Sequence, residues 1–292
     1  MQEKDQTYIY GLHPVREALK RLPEAVKQAI PVVADVHGLA SAEYEEATAS
    51  NGPDAKTLSR IKDAEERLCS NSFRVIVVSS PMKDYLVEAY GISPDKVCTV
   101  PNGSDVRKER AKYSEPHKVV YGGILGAWEG IDVFLDLAKM DQRHLFYLLG
   151  GGPLKKHVLT RIRKEGIPIV YLGYLDYASA IERFTEMTVG IALIVNTFAR
   201  RVASPVKIYD YLSCGLPVIT SDVGEWSQMV SKNRCGFVTK TSEAEELVQC
   251  LDRLDRATWE EMASNGMRVI ERDYNWNVLL NSVNDILSQC HR

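Results

Sequence analysis

Short runs of β-branched and aliphatic residues alternate with amphipathic helical patterns along almost the whole chain, and this alternation limits the fold more than any other feature. The strand candidates, four in the first half and six in the second, are residues 7–10, 31–36, 74–79, 97–100, 118–123, 145–150, 168–173, 189–194, 217–220 and 236–239. Nearly continuous apolar strands separated by helices are typical of parallel sheets covered by helices on both faces. A helix that connects two parallel strands makes a right-handed crossover, so we predict an α/β fold with doubly wound sheets.

The length and one charged segment predict two domains. A chain of 292 residues is long for a single hydrophobic core, and the polar segment at 106–116 has the composition of a linker. Four strand candidates before that linker are fewer than a complete doubly wound domain usually has, so we expect the first strands of the N-terminal domain to be missing. The polar stretch at 39–56 is predicted to be a loop or lid. The amphipathic C-terminal helix either caps the second domain or crosses back to the first.

Composition narrows the classes of function. The apolar content of 45% and the charged content of 26% are typical of a soluble globular protein, and the net charge of −3 argues against a nucleic-acid partner. The six cysteines form no CxxC pair, so we interpret them as reduced thiols of a cytoplasmic protein. We expect no membrane span and no signal peptide, because the apolar runs are short; a peripheral membrane contact through a helix face stays open.

One lysine lies where a helix disfavours it. Ser204 is a good N-cap, Pro205 suits the first helical position, and Gly215 is predicted to end the helix. Lys207 then lies in the first turn, where the positive end of the helix dipole repels a cation. An anion bound at this helix end would remove the conflict.

The residues of this helix leave two interpretations open. Lys207 and Asp210 are three apart and share a helix face, so the lysine can contact a phosphate while the carboxylate accepts hydrogen bonds from two sugar hydroxyls. The two side chains can equally form a surface ion pair worth roughly a few tenths of a kcal/mol. Arg200 and Arg201 precede the helix and add positive charge.

Glycines cluster where three strands of the second half end, at 121–126, 150–153 and 172–175. Ligands of open α/β sheets bind beyond the C-terminal ends of the strands, where glycine lets backbone N–H groups approach a phosphate. Short turns between strands and helices also need glycine. Three such loops on one edge, together with Lys207, favour an anionic ligand.

His37 ends a strand candidate beside a glycine, where it can donate to a ligand in a cleft or serve the structure alone. Other catalytic signatures are lacking: we find no Walker loop, HExxH, GxSxG or strand-linked GxGxxG, and no carboxylate pair that indicates a glycosidase. The residues alone therefore predict two α/β domains with an anionic ligand between them, and they predict no reaction.

Taken in order, the motifs of the second half resemble the donor-binding half of family 4 glycosyltransferases of the GT-B fold, also called group 1. These motifs are "VVYGGILGAWEGIDVFLDLA", "LFYLLGGGP", "IVYLGYLDYASAIERFTEMTVGIAL", "ASPVKIYDYLSCGLPVITSD" and "CGFV". The segments "VVADVHG", "VIVVSSPMKDYLVEAYG" and "KVCTVPNGSD" likewise resemble the later part of the family's acceptor-side domain. The helix after "YNW" is similar to the family's closing helix, which crosses back to the first domain.

The resemblance implies two Rossmann-like domains that face a cleft, the N-terminal one incomplete. Their expected limits are 1–112 for the acceptor side, 113–273 for the donor side and 274–292 for the closing helix. It also implies retaining, metal-independent transfer of a sugar from a nucleotide-sugar, UDP- or GDP-linked, to the hydroxyl of a carbohydrate or lipid-linked acceptor in polysaccharide or glycolipid synthesis. No cofactor is expected, since the nucleotide-sugar is a substrate.

The resemblance also implies roles for individual residues. The catalytic residues would be His37, near the reacting sugar, and Lys207, on the diphosphate. The donor-binding residues would be Gly122, Gly123, Gly151, Gly152, Gly173, Tyr174, Arg200, Arg201, Ser204, Pro205, Val206 and Asp210. Asp210 would bind the ribose, and the backbone of Gly173 and Tyr174 would lie by the base. Without a metal ion, cations and helix-end amides must stabilise the departing diphosphate.

The chain departs from the family pattern at several positions, and these departures leave alternatives. Ile124 and Glu129 stand where many members carry Arg and Lys, and Val202 stands where an E-x7-E motif needs an acid. The family's first strand and glycine-rich loop have no counterpart. One alternative is therefore a donor-binding but catalytically incomplete subunit or pseudoenzyme, with a protein partner or a second copy completing the N-terminal domain. The other is a GT-B-fold nucleotide-sugar epimerase.

Overall fold

The computed structural model describes residues 31–240 and 243–291. Two compact units make up this part of the chain. Of the described residues, the first unit holds 31–101, the short segment Thr197–Ser204 and 280–291. The second unit holds Asn102–Asn196 and Pro205–Leu279. The strand predicted at 7–10 lies outside the described residues.

The first unit contains a three-stranded parallel sheet. Its strands, in spatial order, are β1 (Val33–Val36), β2 (Arg74–Val77) and β3 (Val97–Thr99). Its first helices are α1 (Ala40–Ala47), α2 (Ala55–Asn71) and α3 (Ser80–Tyr90). The three strands confirm the predictions for this part of the chain. The loop predicted at 39–56 is wrong, because α1 occupies its first half.

Local signals explain where the helices of the first unit begin and end. Asp54 caps α2, since its carboxylate accepts a hydrogen bond from the Thr57 backbone N–H at 2.8 Å. Ser79 caps α3, and Gly91 ends that helix in the left-handed conformation, with φ at 63°. The apolar face of α3 includes the fully buried Met82, which belongs to the same core cluster as the valines of β2.

The second unit contains a six-stranded parallel sheet with the order β6-β5-β4-β7-β8-β9. The strands are β4 (Lys118–Ile124), β5 (Leu145–Gly151), β6 (Ile169–Gly173), β7 (Val189–Ala192), β8 (Val218–Ser221) and β9 (Gly236–Thr239). All six strand predictions for this half are confirmed. The strand order reverses between β4 and β7, and a doubly wound sheet binds its ligand beyond the C-terminal ends of the strands at such a reversal.

Most of the remaining helices belong to the second unit; one short helix belongs to the first unit, and the last helix passes from the second unit to the first between Leu279 and Leu280. They are α4 (Ile131–Met140), α5 (Lys155–Glu165), α6 (Tyr177–Thr185), α7 (Phe198–Arg201), α8 (Val206–Ser213), α9 (Gly224–Lys232), α10 (Ala244–Asp252), α11 (Arg256–Val269) and α12 (Trp276–Ser288). Helix α7 lies in the segment assigned to the first unit. Strands β7 and β8 are buried along their whole length, so the core of the second unit is continuous across the middle of its sheet.

Two further features concern helix length and the cysteines. Among the described residues, no helix has both the length and the apolar composition needed to cross a membrane. All six cysteines are free thiols, and Cys69, Cys214, Cys235 and Cys250 are buried.

Candidate functional site

Helix α8 lies at the C-terminal end of β4, next to the reversal of strand order. The Gly122 backbone N–H, near the end of β4, donates to the Tyr211 hydroxyl at 2.7 Å. A Cβ on Gly123 would lie 3.2 Å from Lys207 Nζ, and Gly123 has a φ of 143° that favours glycine. The helix therefore presents its first turn to the edge where a ligand is expected.

The start of α8 differs from the prediction by one residue. The helix begins at Val206, and Pro205 takes the N-cap position, where no side chain caps it. The prediction of Ser204 as the N-cap is therefore wrong; Ser204 is buried one residue earlier in the chain. Gly215 follows the helix with a φ of 68°, which confirms the predicted end.

Lys207 meets an anion that the chain itself supplies. Its ammonium forms an ion pair with Glu129, which lies 78 residues earlier in the chain. Lys207 Nζ also lies 3.4 Å from the Tyr121 hydroxyl and 4.7 Å from the centroid of that ring. The Tyr121 hydroxyl lies 2.9 Å from Glu129 Oε2. The exposed fractions of the Lys207 and Glu129 side chains are only 12% and 10%, so this is a buried ion pair and not a surface one.

The electrostatics of Lys207 follow from this environment. Burial lowers the pKa of the Lys207 ammonium, and the Glu129 carboxylate acts in the opposite direction. The conflict with the helix dipole is thus resolved by a carboxylate at a position where the family commonly has a cation. Sequence reasoning identified both residues but did not pair them, because their contact depends on the fold.

Asp210 is held by two hydroxyl groups. The Ser104 and Tyr177 hydroxyls donate to the same oxygen, Oδ1, at 2.7 Å and 2.8 Å. Burial raises the pKa of the Asp210 carboxyl, and the two hydrogen bonds oppose that shift. The Tyr177 hydroxyl in turn accepts from Arg107 Nη2 at 2.9 Å. Ser104, Tyr177 and Arg107 were missed from the sequence, since nothing local distinguishes them.

The glycines of the neighbouring loops divide into two groups. A Cβ on Gly122 would lie 2.7 Å from the Phe184 ring, and one on Gly152 would lie 2.9 Å from the Leu125 backbone, so packing alone requires these glycines. No heavy atom lies within 4 Å of a Cβ built on Gly151 or on Gly173. Among the five glycines predicted to bind the donor, these two border open space and leave room for a ligand beside the backbone.

Tyr174 and the arginines have different surroundings. Tyr174 follows β6 in the second unit and is 83% exposed. Arg200 and Arg201 lie on α7, within the segment assigned to the first unit. Arg200 donates from Nε and Nη2 to Glu46 Oε2 at 2.9 Å and 2.6 Å, which makes a charge-assisted pair within that unit. The Arg201 guanidinium lies 5.8 Å from the centroid of the Phe198 ring.

His37 lies directly after β1 in the first unit, as predicted. Its Nε2 atom is 3.1 Å from Asp35 Oδ2, and about half of the side chain is exposed. Glu43 lies close by, since a Cβ on Gly38 would come within 2.6 Å of Glu43 Oε1. Burial raises the pKa of the Glu43 carboxyl.

Two family models match successive parts of the chain. The family described as Glycosyltransferase Family 4 matches residues 8–108, and the one described as Glycosyl transferases group 1 matches residues 116–256. The chain belongs to the family 4 and group 1 glycosyltransferases.

Two curated relatives are about a quarter identical to this chain over the aligned residues. The chitobiosyldiphosphodolichol beta-mannosyltransferase of Candida albicans is 23% identical over 194 residues, which cover 57% of this chain and 41% of that protein. The D-inositol 3-phosphate glycosyltransferase of Saccharomonospora viridis is 26% identical over 284 residues, which cover 88% and 64%. The chain therefore spans less than two thirds of the length of either relative.

Solved glycosyltransferase structures share the fold. The sucrose-phosphate synthase of Thermosynechococcus elongatus matches with a TM-score of 0.74 at 17% identity, covering 91% of this chain and 70% of that one. Anabaena HepE in complex with UDP and glucose matches with a TM-score of 0.73 at 17% identity, covering 94% and 76%. The fold is accordingly GT-B, as the resemblance implied.

The positions at which this chain departs from the family pattern have clear structural settings. Ile124 is 54% exposed at the end of β4, whereas Glu129 is buried against Lys207. Val202 belongs to the apolar core of the first unit, and its carbonyl accepts a hydrogen bond from the Ser79 hydroxyl at 2.6 Å. An acid at position 202 would lose this packing, so the chain has given that position a structural role.

Proposed function

We propose that this chain is a retaining, metal-independent glycosyltransferase that moves a sugar from a UDP- or GDP-linked donor to an acceptor hydroxyl. The placement of α8 carries the proposal. It brings Lys207 to the C-terminal end of β4, beside the reversal of strand order where doubly wound sheets bind nucleotides, and Asp210 to Tyr177, the first residue of the helix that follows β6.

The donor would be held through four contacts in the second unit. Asp210 directs Oδ1 to Ser104 and Tyr177, and we assign its Oδ2 to the ribose hydroxyls. The backbone at Gly151 would approach the diphosphate, and that at Gly173 the base, because both glycines border open space. Tyr174 is exposed beside Gly173 and would cover the base. The UDP complexes of Anabaena HepE support a donor of this class.

The transfer step needs no enzyme nucleophile in this proposal. The bond between the anomeric carbon and the diphosphate oxygen breaks, and the acceptor oxygen bonds to the same face of the sugar. The acceptor proton passes to the departing diphosphate. Lys207 would stabilise the charge that develops on that diphosphate, with Arg200, Arg201 and the backbone at 204–206 as further donors, and His37 would hydrogen-bond the reacting sugar.

The names of two relatives support the proposed class of acceptor. One is named for a lipid-diphosphate-linked sugar acceptor and the other for a phosphorylated inositol. We infer a carbohydrate or lipid-linked acceptor, used in polysaccharide or glycolipid synthesis in the cytoplasm with peripheral membrane contact. The domain limits at residues 112 and 273 belong to the same proposal.

Calorimetric titration of the full chain with UDP, GDP and ADP, with and without Mg²⁺, tests the donor site. Binding of one diphosphate without metal supports the proposal, and no binding by a folded chain refutes it. Incubation with the matching nucleotide-sugar and an acceptor then tests the chemistry, with the product's anomeric configuration read by NMR. Retention supports the mechanism, whereas inversion refutes it. An epimerised sugar formed without acceptor would instead indicate the epimerase.

A further inference from the structure

The contact between Lys207 and Glu129 carries an inference that rests on, and deepens, the proposed function. The proposed role of Lys207 is to contact the donor's diphosphate, yet its ammonium already pairs with a carboxylate. The pair is shielded from water, since 12% of one side chain and 10% of the other are exposed. Charges in such a setting are poorly screened, so Lys207 cannot form equally strong ion pairs with Glu129 and with a diphosphate at the same time.

Glu129 keeps a second hydrogen-bond donor whether or not Lys207 stays in place. The Tyr121 hydroxyl lies 2.9 Å from Glu129 Oε2 and 2.8 Å from the Ile124 carbonyl oxygen, either of which can accept its proton. If the ammonium moves toward a ligand, the carboxylate still has this hydroxyl as a partner. The structure therefore offers a state in which Lys207 leaves Glu129 without leaving a buried carboxylate that lacks a donor.

Lys207 also has a path toward the end of β4. A Cβ at Gly123 would lie 3.2 Å from Lys207 Cε and Nζ, so only a glycine gives the ammonium this space. Nearby Gly151 borders open space on the neighbouring strand β5, to which β4 pairs at the same level. The ammonium thus lies between its internal partner and the edge where the diphosphate is proposed to bind.

We propose that Glu129 competes with the donor's diphosphate for Lys207 and so lowers the affinity of the chain for nucleoside diphosphates. Binding exchanges one ion pair for another, in place of forming a new one. Glu129 in this way becomes a residue that sets donor affinity, at a position where many family members carry a cation.

The Glu129→Gln variant of the full chain tests the proposal, with UDP and GDP as the probes in calorimetric titration. Glutamine keeps the shape and the contact with Tyr121 but removes the competing charge. We expect its affinity for the diphosphate to rise by about tenfold or more, or about 1.4 kcal/mol. Adding Lys207→Met to this variant should abolish the gain. Glu186→Gln is the matched control. It removes the same charge from the same unit, but Glu186 pairs with Arg183 at an exposed site.

Each outcome separates this inference from the proposed function. A gain in Glu129→Gln that is absent from Glu186→Gln supports competition. If the wild-type chain binds UDP or GDP and Glu129→Gln binds equally or more weakly, the competition is refuted while the donor site stands. If neither folded protein binds a diphosphate, both proposals fail. Should Glu129→Gln not fold, Glu129→Asp withdraws the carboxylate by one methylene, and only tighter binding than wild type then upholds the inference.

Discussion

Replacing Lys207 with methionine should destabilise the second unit far more than replacing an exposed lysine. The change leaves the Glu129 carboxylate with 10% exposure and without its counter-charge. Breaking a buried ion pair by removing one partner costs about 3–5 kcal/mol. Because both side chains retain slight exposure and Tyr121 still faces the carboxylate, we expect about 2–4 kcal/mol of lost unfolding free energy.

Two further variants separate charge from packing. Lys139→Met breaks the pair of Lys139 with Glu165, in which the lysine is 54% exposed, and should cost no more than about 0.5 kcal/mol. The double variant Lys207→Met with Glu129→Met replaces the whole buried pair with apolar side chains. It should regain most of the loss, since such replacements are often neutral or stabilising.

Urea unfolding followed by tryptophan fluorescence measures these effects in the second unit alone. All four tryptophans, at positions 128, 226, 259 and 276, belong to that unit. The reasoning is refuted if Lys207→Met costs no more than Lys139→Met. It is also refuted if the double variant is as unstable as the single one, because the loss would then come from packing and not from an unpaired charge.

Three other changes give equally direct tests. Asp210→Asn should raise stability more at pH 7 than at acid pH, because a carboxyl whose pKa is raised by burial costs stability as the pH rises through that pKa. In calorimetric titration, the same variant should bind UDP and uridine more weakly. Burial lowers the pKa of His144, so the unfolded chain takes up a proton before the folded chain does, and stability falls as the pH drops below the usual histidine pKa of 6.5. His144→Asn should reduce this loss, which urea midpoints at pH 5 and pH 7 measure. Gly151→Ala should keep the wild-type melting temperature yet weaken UDP binding, whereas Gly150→Ala should fail to fold normally, because its Cβ would lie 1.8 Å from the Gly123 carbonyl oxygen. An unchanged UDP affinity in Gly151→Ala would contradict the backbone contact.

The strands were predictable because their signal is local. Runs such as 189–194 are apolar throughout, which is typical of strands in a sheet covered on both faces. The first helix, α1, escaped prediction for the opposite reason. It buries little more than Ser41 and Ala42, so its apolar face is too narrow for the periodicity to stand out.

The contacts of the candidate site were less predictable, because they join residues far apart in the chain. The dipole argument correctly indicated an anion for Lys207, but the partner lies 78 residues away. Asp210 receives its hydrogen bonds from Ser104 and Tyr177, at separations of 106 and 33 residues. Local patterns indicate which side chain needs a partner, and only the fold decides which residue supplies it.

The path of the chain through the two units limits which segments can be exchanged between members of the family. The backbone passes from one unit to the other four times, after residues 101, 196, 204 and 279. The insert at 197–204 contributes Ala199 and Val202 to the apolar core of the first unit. A chimera that joins this N-terminal region to the remainder of another family member at a single junction would therefore inherit a foreign piece of core. Recombination that preserves folding must therefore carry the three segments of the first unit together.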